Sequence, residues 1–113
     1  MKTVLHSKIH RAKVTETEKD YNGSITIGKN LLEASKIEEH EKVQVVNVDN
    51  GERLETYVIE GEKGEICLNG AAARKACKED EVIIICYRTV DEDSRPEPRI
   101  VHVNSDNEVV EKA

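Results

Sequence analysis

The run Val82-Ile83-Ile84-Ile85-Cys86-Tyr87 contains no charged or amide side chain to turn toward water. A strand of this kind is expected to be covered on both faces, so the rest of the chain has to wrap around it. The cover is not aromatic. The chain has no Trp and no Phe, and its only aromatics besides histidine are Tyr21, Tyr57 and Tyr87. The core must therefore be built from Val, Ile, Leu and Ala. At 113 residues the expectation is one domain, residues 1–113, with a modest core. Association of several copies would add stability that so small an aliphatic core leaves short.

Around that run the pattern is one of short strands and polar turns. Residues 2–18 read as one long strand. Alternation puts Val4, His6, Lys8, His10, Ala12 and Val14 on one face, and Leu5, Ile9 and Arg11 on the other. Ser24–Ile27 is a short strand. Asn30 is placed to cap a short helix over 31–35, with Glu33 at its third position. The tract 38–42 reads as a charged surface turn. Strand 44–48 and return strand 53–60 flank Asp49-Asn50-Gly51, a hairpin signal. Strand 65–68 leads to Asn69-Gly70 and an alanine-rich helix over 71–78, whose first N–H groups could seat an anion or simply be capped. Strand 99–103 and a polar tail, 105–113, complete the chain. Many short strands with two short helices suit a small closed β-barrel better than a sandwich.

The net charge is −6, with 35% of residues charged. That argues against nucleic acid and against an anionic membrane surface as partners. No apolar run approaches membrane length and no signal-peptide pattern opens the chain, so the expected location is cytoplasmic. Cys67, Cys77 and Cys86 are odd in number and form no CxxC pair. They read as reduced thiols, with Cys67 and Cys86 buried, and no metal site is expected.

The chemically suggestive stretch is Tyr21-Asn22-Gly23-Ser24. As local structure it is a turn into a strand. As chemistry it sets a hydroxyl beside an uncrowded peptide carbonyl, which a serine can attack if the peptide is bent and the oxyanion is met by a donor. A second suggestive pattern is Arg53 and Tyr57 on one face of a strand, where they could hold a carboxylate beside a proton donor or form a cross-strand ion pair with a packed ring.

Taken together, several segments resemble the pyruvoyl-dependent aspartate 1-decarboxylase family. They are Lys8-Ile9-His10-Arg11-Ala12-Lys13-Val14-Thr15, Tyr21-Asn22-Gly23-Ser24, the stretch from Asn47 to Tyr57, Asn69-Gly70-Ala71-Ala72-Ala73 and Asp80-Glu81-Val82-Ile83-Ile84-Ile85. Their order and spacing agree, and the resemblance runs from Leu5 to about Val103. It implies a mainly β fold, a double-psi β-barrel, assembled as a homotetramer with active sites between subunits. It implies autocatalytic cleavage at Gly23–Ser24 into chains 1–23 and 24–113, with Ser24 becoming a pyruvoyl group.

In the family that group takes the α-amine of L-aspartate as a Schiff base and accepts the electrons released with CO₂, so neither pyridoxal phosphate nor a metal is implied. The product is β-alanine, for pantothenate and coenzyme A. By residue, the resemblance makes Arg53 the grip on the side-chain carboxylate, with Lys8 adding charge. Tyr57 becomes the proton donor and Thr56 the oxyanion donor. Thr56 and the Gly70-Ala71-Ala72 backbone become substrate contacts, and Asn69, His10 and Tyr21 orienting groups. Two positions depart from the family pattern: Val46 stands where many members carry an aromatic, and Ile25 where a smaller residue or Cys is common. A second resemblance, of residues 24–37 to swapped-hairpin DNA-binding modules, meets Glu33, Glu38, Glu39 and Glu41 where a basic face would be required.

Overall fold

The computed structural model describes residues 1–111, so the last two residues of the expected domain and of the expected tail lie outside the described residues. The chain runs β1 (Lys2–Lys13), β2 (Glu16–Glu18), β3 (Ser24–Gly28), α1 (Lys29–Ser35), β4 (Lys42–Asn47), β5 (Arg53–Gly61), β6 (Ile66–Asn69), a 3₁₀ turn (Gly70–Lys75), β7 (Glu81–Val90), β8 (Arg99–Val103) and β9 (Val109–Val110). The strands form one mixed sheet in the order β2-β6-β3-β5-β4-β7-β1-β8-β9, wrapped as a small β-barrel. Pairs β1·β8, β2·β6 and β3·β5 are parallel and the others antiparallel. The core is aliphatic, as composition requires. Ile9, Ile25, Ile27, Leu31, Val43, Val45, Val58, Ile66, Leu68, Val82 and Ile84 are all buried in one cluster.

The two-sided burial expected of the apolar run lies elsewhere. In β7 only Val82, Ile84 and Cys86 face the core, while Ile83 and Ile85 are half-buried and Tyr87 is exposed. Two strands are buried along their whole length, β6 and the five-residue β3. Strand β3 lies between β5 and β6, with Ile25 and Ile27 in the core and Ser24 and Thr26 on the opposite side. Hydrophobicity alone ranked β7 above β3; position in the sheet reverses them.

The expected long strand 2–18 is also broken, into β1 and β2. Within β1 the alternation fails because two bulges intervene. Arg11 adopts φ +61°, and the register passes from Ile9↔Ile84 to Ala12↔Val82, so two residues oppose one. Ala12 and Val14 therefore enter the core with Ile9 rather than sharing a face with Lys8. Lys8 and His10 do keep a common side. They pair with Ile100 and His102 of β8, and the His10 and His102 rings meet edge to face at 5.6 Å.

Two local expectations about caps are corrected. Helix α1 begins at Lys29 without any side-chain cap. Asn30 lies inside it and bridges outward instead: Oδ1 accepts from the Gly64 N–H at 2.8 Å, and Nδ2 donates to the Asn107 carbonyl at 3.1 Å. The buried Asn107 side chain in turn binds both backbone groups of Lys13 and the Gly64 carbonyl. A long-range tie thus replaced a local cap. The expected helix 71–78 is a six-residue 3₁₀ turn ending at Lys75, too short to seat an anion by its dipole.

The surface turn 38–42 holds a charge that is not simply solvated. Glu41 receives Arg88 Nε at 3.1 Å, Arg88 Nη2 at 2.8 Å and the Glu38 N–H at 2.8 Å. Burial alone would raise its pKa, but the hydrogen bonds and the guanidinium charge hold the carboxyl below its ordinary value. A carboxylate depressed on folding stabilises the fold above its unfolded pKa, about 4.3, and loses that contribution as pH falls through the lower folded value. Glu41→Gln is therefore expected to cost about 1 kcal/mol at pH 7. The gap from wild type in urea denaturation should close as the pH drops below about 4. A gap independent of pH would refute the assignment.

Candidate active site

Residue 24 opens β3, and the register of that strand decides what surrounds it. On one side β3 runs antiparallel to β6, with Ser24↔Asn69 and Thr26↔Cys67. Directly opposed residues share a face, so these four polar side chains gather on the side away from the core. The Asn69 Nδ2 donates to Ser24 Oγ at 2.8 Å and to Thr26 Oγ1 at 3.0 Å, while its Oδ1 accepts from Cys67 Sγ at 3.3 Å. Burial, with the carboxylates of Glu65, Glu16 and Glu18 adding to it, pushes the Cys67 thiol up to about 11. The thiol is thus a donor at neutral pH, and it fixes which end of the Asn69 amide faces Ser24. Ser24 is 1% exposed and Asn69 3%, so the cluster is shielded from water.

On the other side β3 runs parallel to β5, with Ile25↔Val58 and Thr26↔Ile59. The ladder begins at that Ile25↔Val58 pair, and Tyr57 and Thr56 are the residues of β5 just before it. Tyr57 shares the outward side with Ser24, and Thr56 lies on the inward side, half-buried. Arg53, at the start of β5, is four residues from Tyr57 on the same outward face. At about 3.3 Å per residue the two are roughly 13 Å apart along the strand. Both are exposed, Tyr57 at 41%. Arg53 pairs with Val46 of β4, and Val46 in turn with Ile83 of β7. The departure at position 46 therefore bears on the surroundings of Arg53. The departure at position 25 does not, because Ile25 is fully buried in the core.

The steric constraint on the turn before Ser24 does not lie at Gly23. A Cβ built on Gly23 meets nothing within 4 Å, and its φ is not in the left-handed region. The constrained glycine is Gly70, at φ +66°. A Cβ there would come 2.8 Å from both Gly23 Cα and Gly23 N, and 2.9 Å from the Tyr21 carbonyl oxygen. Tyr21 itself is 57% exposed. Ala71 is exposed and Ala72 half-buried in the turn after Gly70.

The chain thus brings Gly23, Ser24, Asn69 and Gly70 together, with Tyr21, Ala71 and Ala72 at the margin; Thr56, Tyr57 and Arg53 lie on β5, the strand that pairs with β3. It does not bring Lys8 and His10 to them. Those belong to β1, which β5, β4 and β7 separate from β3 in the sheet. Lys8 projects outward beside Ile85, its register partner. Two members of the cluster went unnoticed in the sequence, Thr26 and Cys67. Both were discoverable by the period of two along a strand, since Thr26 follows Ser24 by two and Cys67 precedes Asn69 by two. A cavity of about 330 Å³ lined in part by Tyr21, Thr26, Cys67 and Asn69 abuts this cluster.

The residues present suit the conversion of Ser24 to a ketone-bearing group. Position 24 sits at a strand start, out of water, with an amide donor on the atom that would become reactive. The absent Cβ of Gly70 leaves room for the turn that precedes it.

Comparison with known proteins identifies the family. The model of the aspartate decarboxylase family matches residues 1–110. An aspartate 1-decarboxylase of Campylobacter concisus is 50% identical over 111 residues, covering 96% of each chain. One of Campylobacter curvus is 52% identical with the same coverage. One of Bacillus thuringiensis is 52% identical over 114 residues, covering 97% of this chain and 90% of the relative. Matched along nearly all of its length by both measures, this chain belongs to the aspartate decarboxylase family.

Proposed function

We propose that the protein decarboxylates L-aspartate to β-alanine and CO₂, using a pyruvoyl group that it makes from its own Ser24. The observation that carries this reading is the buried Ser24 hydroxyl held by Asn69 at the end of a turn pressed against Gly70. In the maturation step Ser24 Oγ bonds to the Gly23 carbonyl carbon, the Gly23–Ser24 C–N bond breaks, and the hydroxyl proton passes to the released nitrogen. Thr56, on the β5 strand that pairs with β3, is the donor for the oxyanion. Loss of the Ser24 Cα proton expels the Gly23 carboxylate and leaves dehydroalanine. Water then replaces the nitrogen, and ammonia departs. The products are chains 1–23 and 24–113.

The mature group supplies an electron sink for the pair released with CO₂, the role a bound cofactor fills in other decarboxylases. The protein's own groups do the rest. Arg53 holds the side-chain carboxylate bidentately, a geometry its guanidinium fork matches. Tyr57, on the outward face of the neighbouring strand β5, delivers the proton to the substrate carbon that loses CO₂. The Gly70-Ala71-Ala72 backbone and Thr56 contact substrate. Lys8 and His10 come from a neighbouring copy in a homotetramer. Their separation from Ser24 within one chain supports this, as do the half-buried Ile83 and Ile85 beside exposed Tyr87 on the outer sheet face. Tyr21 and Asn69 orient the turn. The product serves pantothenate and coenzyme A synthesis in the cytoplasm.

Intact mass under denaturing conditions tests the reading. Two chains are expected, one ending at Gly23. Borohydride added with aspartate present should attach substrate to the long chain only. A single uncut species after prolonged incubation of assembled protein would overturn it.

A further inference from the structure

We propose that Gly70 is a positioning residue for the self-cleavage: its missing Cβ lets the backbone of the scissile turn lie where Ser24 Oγ can reach the Gly23 carbonyl. This rests on the self-cleavage reading and goes beyond it, because it gives the turn's geometry to a residue 47 positions away rather than to the glycine at the cut. Three distances carry it. A Cβ at Gly70 would stand 2.8 Å from Gly23 Cα, 2.8 Å from Gly23 N and 2.9 Å from the Tyr21 carbonyl oxygen. All three are backbone atoms, so no side-chain rotation relieves the overlap; the turn itself has to move. Gly23 has open space where its own Cβ would stand. Gly70 follows Asn69, whose Nδ2 holds Ser24 Oγ. The two halves of the reacting pair are thus set by adjacent residues: Asn69 fixes the nucleophile and Gly70 fixes the carbonyl's backbone. A displacement of about 1 Å at such a pair is enough to cost on the order of 10²-fold in rate.

The experiment separates this collision from backbone strain and from substrate contact. Gly70→Ala adds both a Cβ and the left-handed penalty. Gly70→Asn adds the Cβ with a residue that tolerates left-handed φ. Gly64→Ala is the control for strain alone: Gly64 is also left-handed, at φ +78°, but a Cβ there approaches only the Asp106 carbonyl, at 3.2 Å, and Asn107 Cβ, at 4.0 Å.

Cleavage is followed by denaturing mass spectrometry and folding by circular dichroism and thermal midpoint. Hydroxylamine at neutral pH reads the first step by capturing the ester as a Gly23 hydroxamate, identified by the mass of chain 1–23 and so told apart from cutting at the Asn22–Gly23, Asn50–Gly51 and Asn69–Gly70 bonds. Both Gly70 variants are expected to fold, to cleave at least tenfold more slowly than wild type, and to yield correspondingly less hydroxamate. Gly64→Ala should cleave at the wild-type rate. Cleavage of folded Gly70→Asn at the wild-type rate overturns the proposal while leaving self-cleavage standing. So does normal hydroxamate release with a block later on. Loss of fold in both Gly70 variants would make Gly70 a folding residue and overturn it equally. Failure of wild type to cleave would instead remove the reading on which it rests.

Discussion

Ser24→Ala protein will persist as one uncut chain of 113 residues and will show no aspartate decarboxylation above background. The loss is total rather than graded because, on the proposed function, the hydroxyl is both the nucleophile of maturation and the source of the electron sink. Thr26 Oγ1, which shares the Asn69 Nδ2 donor, does not replace it, because Thr26 lies two residues beyond Ser24. The fold is expected to survive. Asn69 keeps Thr26 and Cys67 as partners, and one lost hydrogen bond costs about 1 kcal/mol. Intact mass, circular dichroism and a CO₂-release assay on the same preparation check all three statements. Cleavage at Gly23 in this variant would require a different nucleophile and end the account of Ser24.

Arg53→Ala is the second large effect, of a different kind. The variant should cut itself normally and then fail with substrate, losing about 10²-fold in kcat/KM for aspartate. Charge-assisted hydrogen bonds are worth about 1.5–3 kcal/mol, and each 1.36 kcal/mol is tenfold in rate. Arg53 is exposed at the start of β5 and, among the described residues, takes part in no salt bridge. Its removal should leave maturation and stability unchanged. Arg53→Lys restores the charge but not the fork, so only part of the loss should return. Normal kinetics in Arg53→Ala would move the carboxylate grip to another residue.

The sequence made some of this molecule readable and hid other parts for identifiable reasons. The hairpin at Asp49-Asn50-Gly51 was legible because its turn chemistry is local, and β4 and β5 lie on either side of it as expected. The strand bearing Arg53 and Tyr57 was legible because alternation persists along β5. In β1 alternation broke, since a bulge at Arg11 is a backbone event that side-chain pattern does not announce. The cap assigned to Asn30 was wrong because Gly64 and Asn107, distant in sequence, made better use of its amide. The burial of β3 was likewise invisible: Ser24 and Thr26 look like solvent-facing residues until β6 lays Asn69 and Cys67 over them. The steric demand at Gly70 depends on a contact with Gly23 across the fold, so no local reading could have moved it from the scissile glycine.

The placement of β1 has a consequence for the matured molecule. This strand lies within the sheet, hydrogen-bonded to β7 on one edge and to β8 on the other, and it lies wholly upstream of residue 24. Severing the backbone there would not release the N-terminal fragment, which is laced into the fabric on both sides. It would, however, turn a unimolecular folding reaction into an encounter between two solutes. Denaturation would then become concentration-dependent, and a heated sample would regain its structure only as fast as the severed fragments find each other.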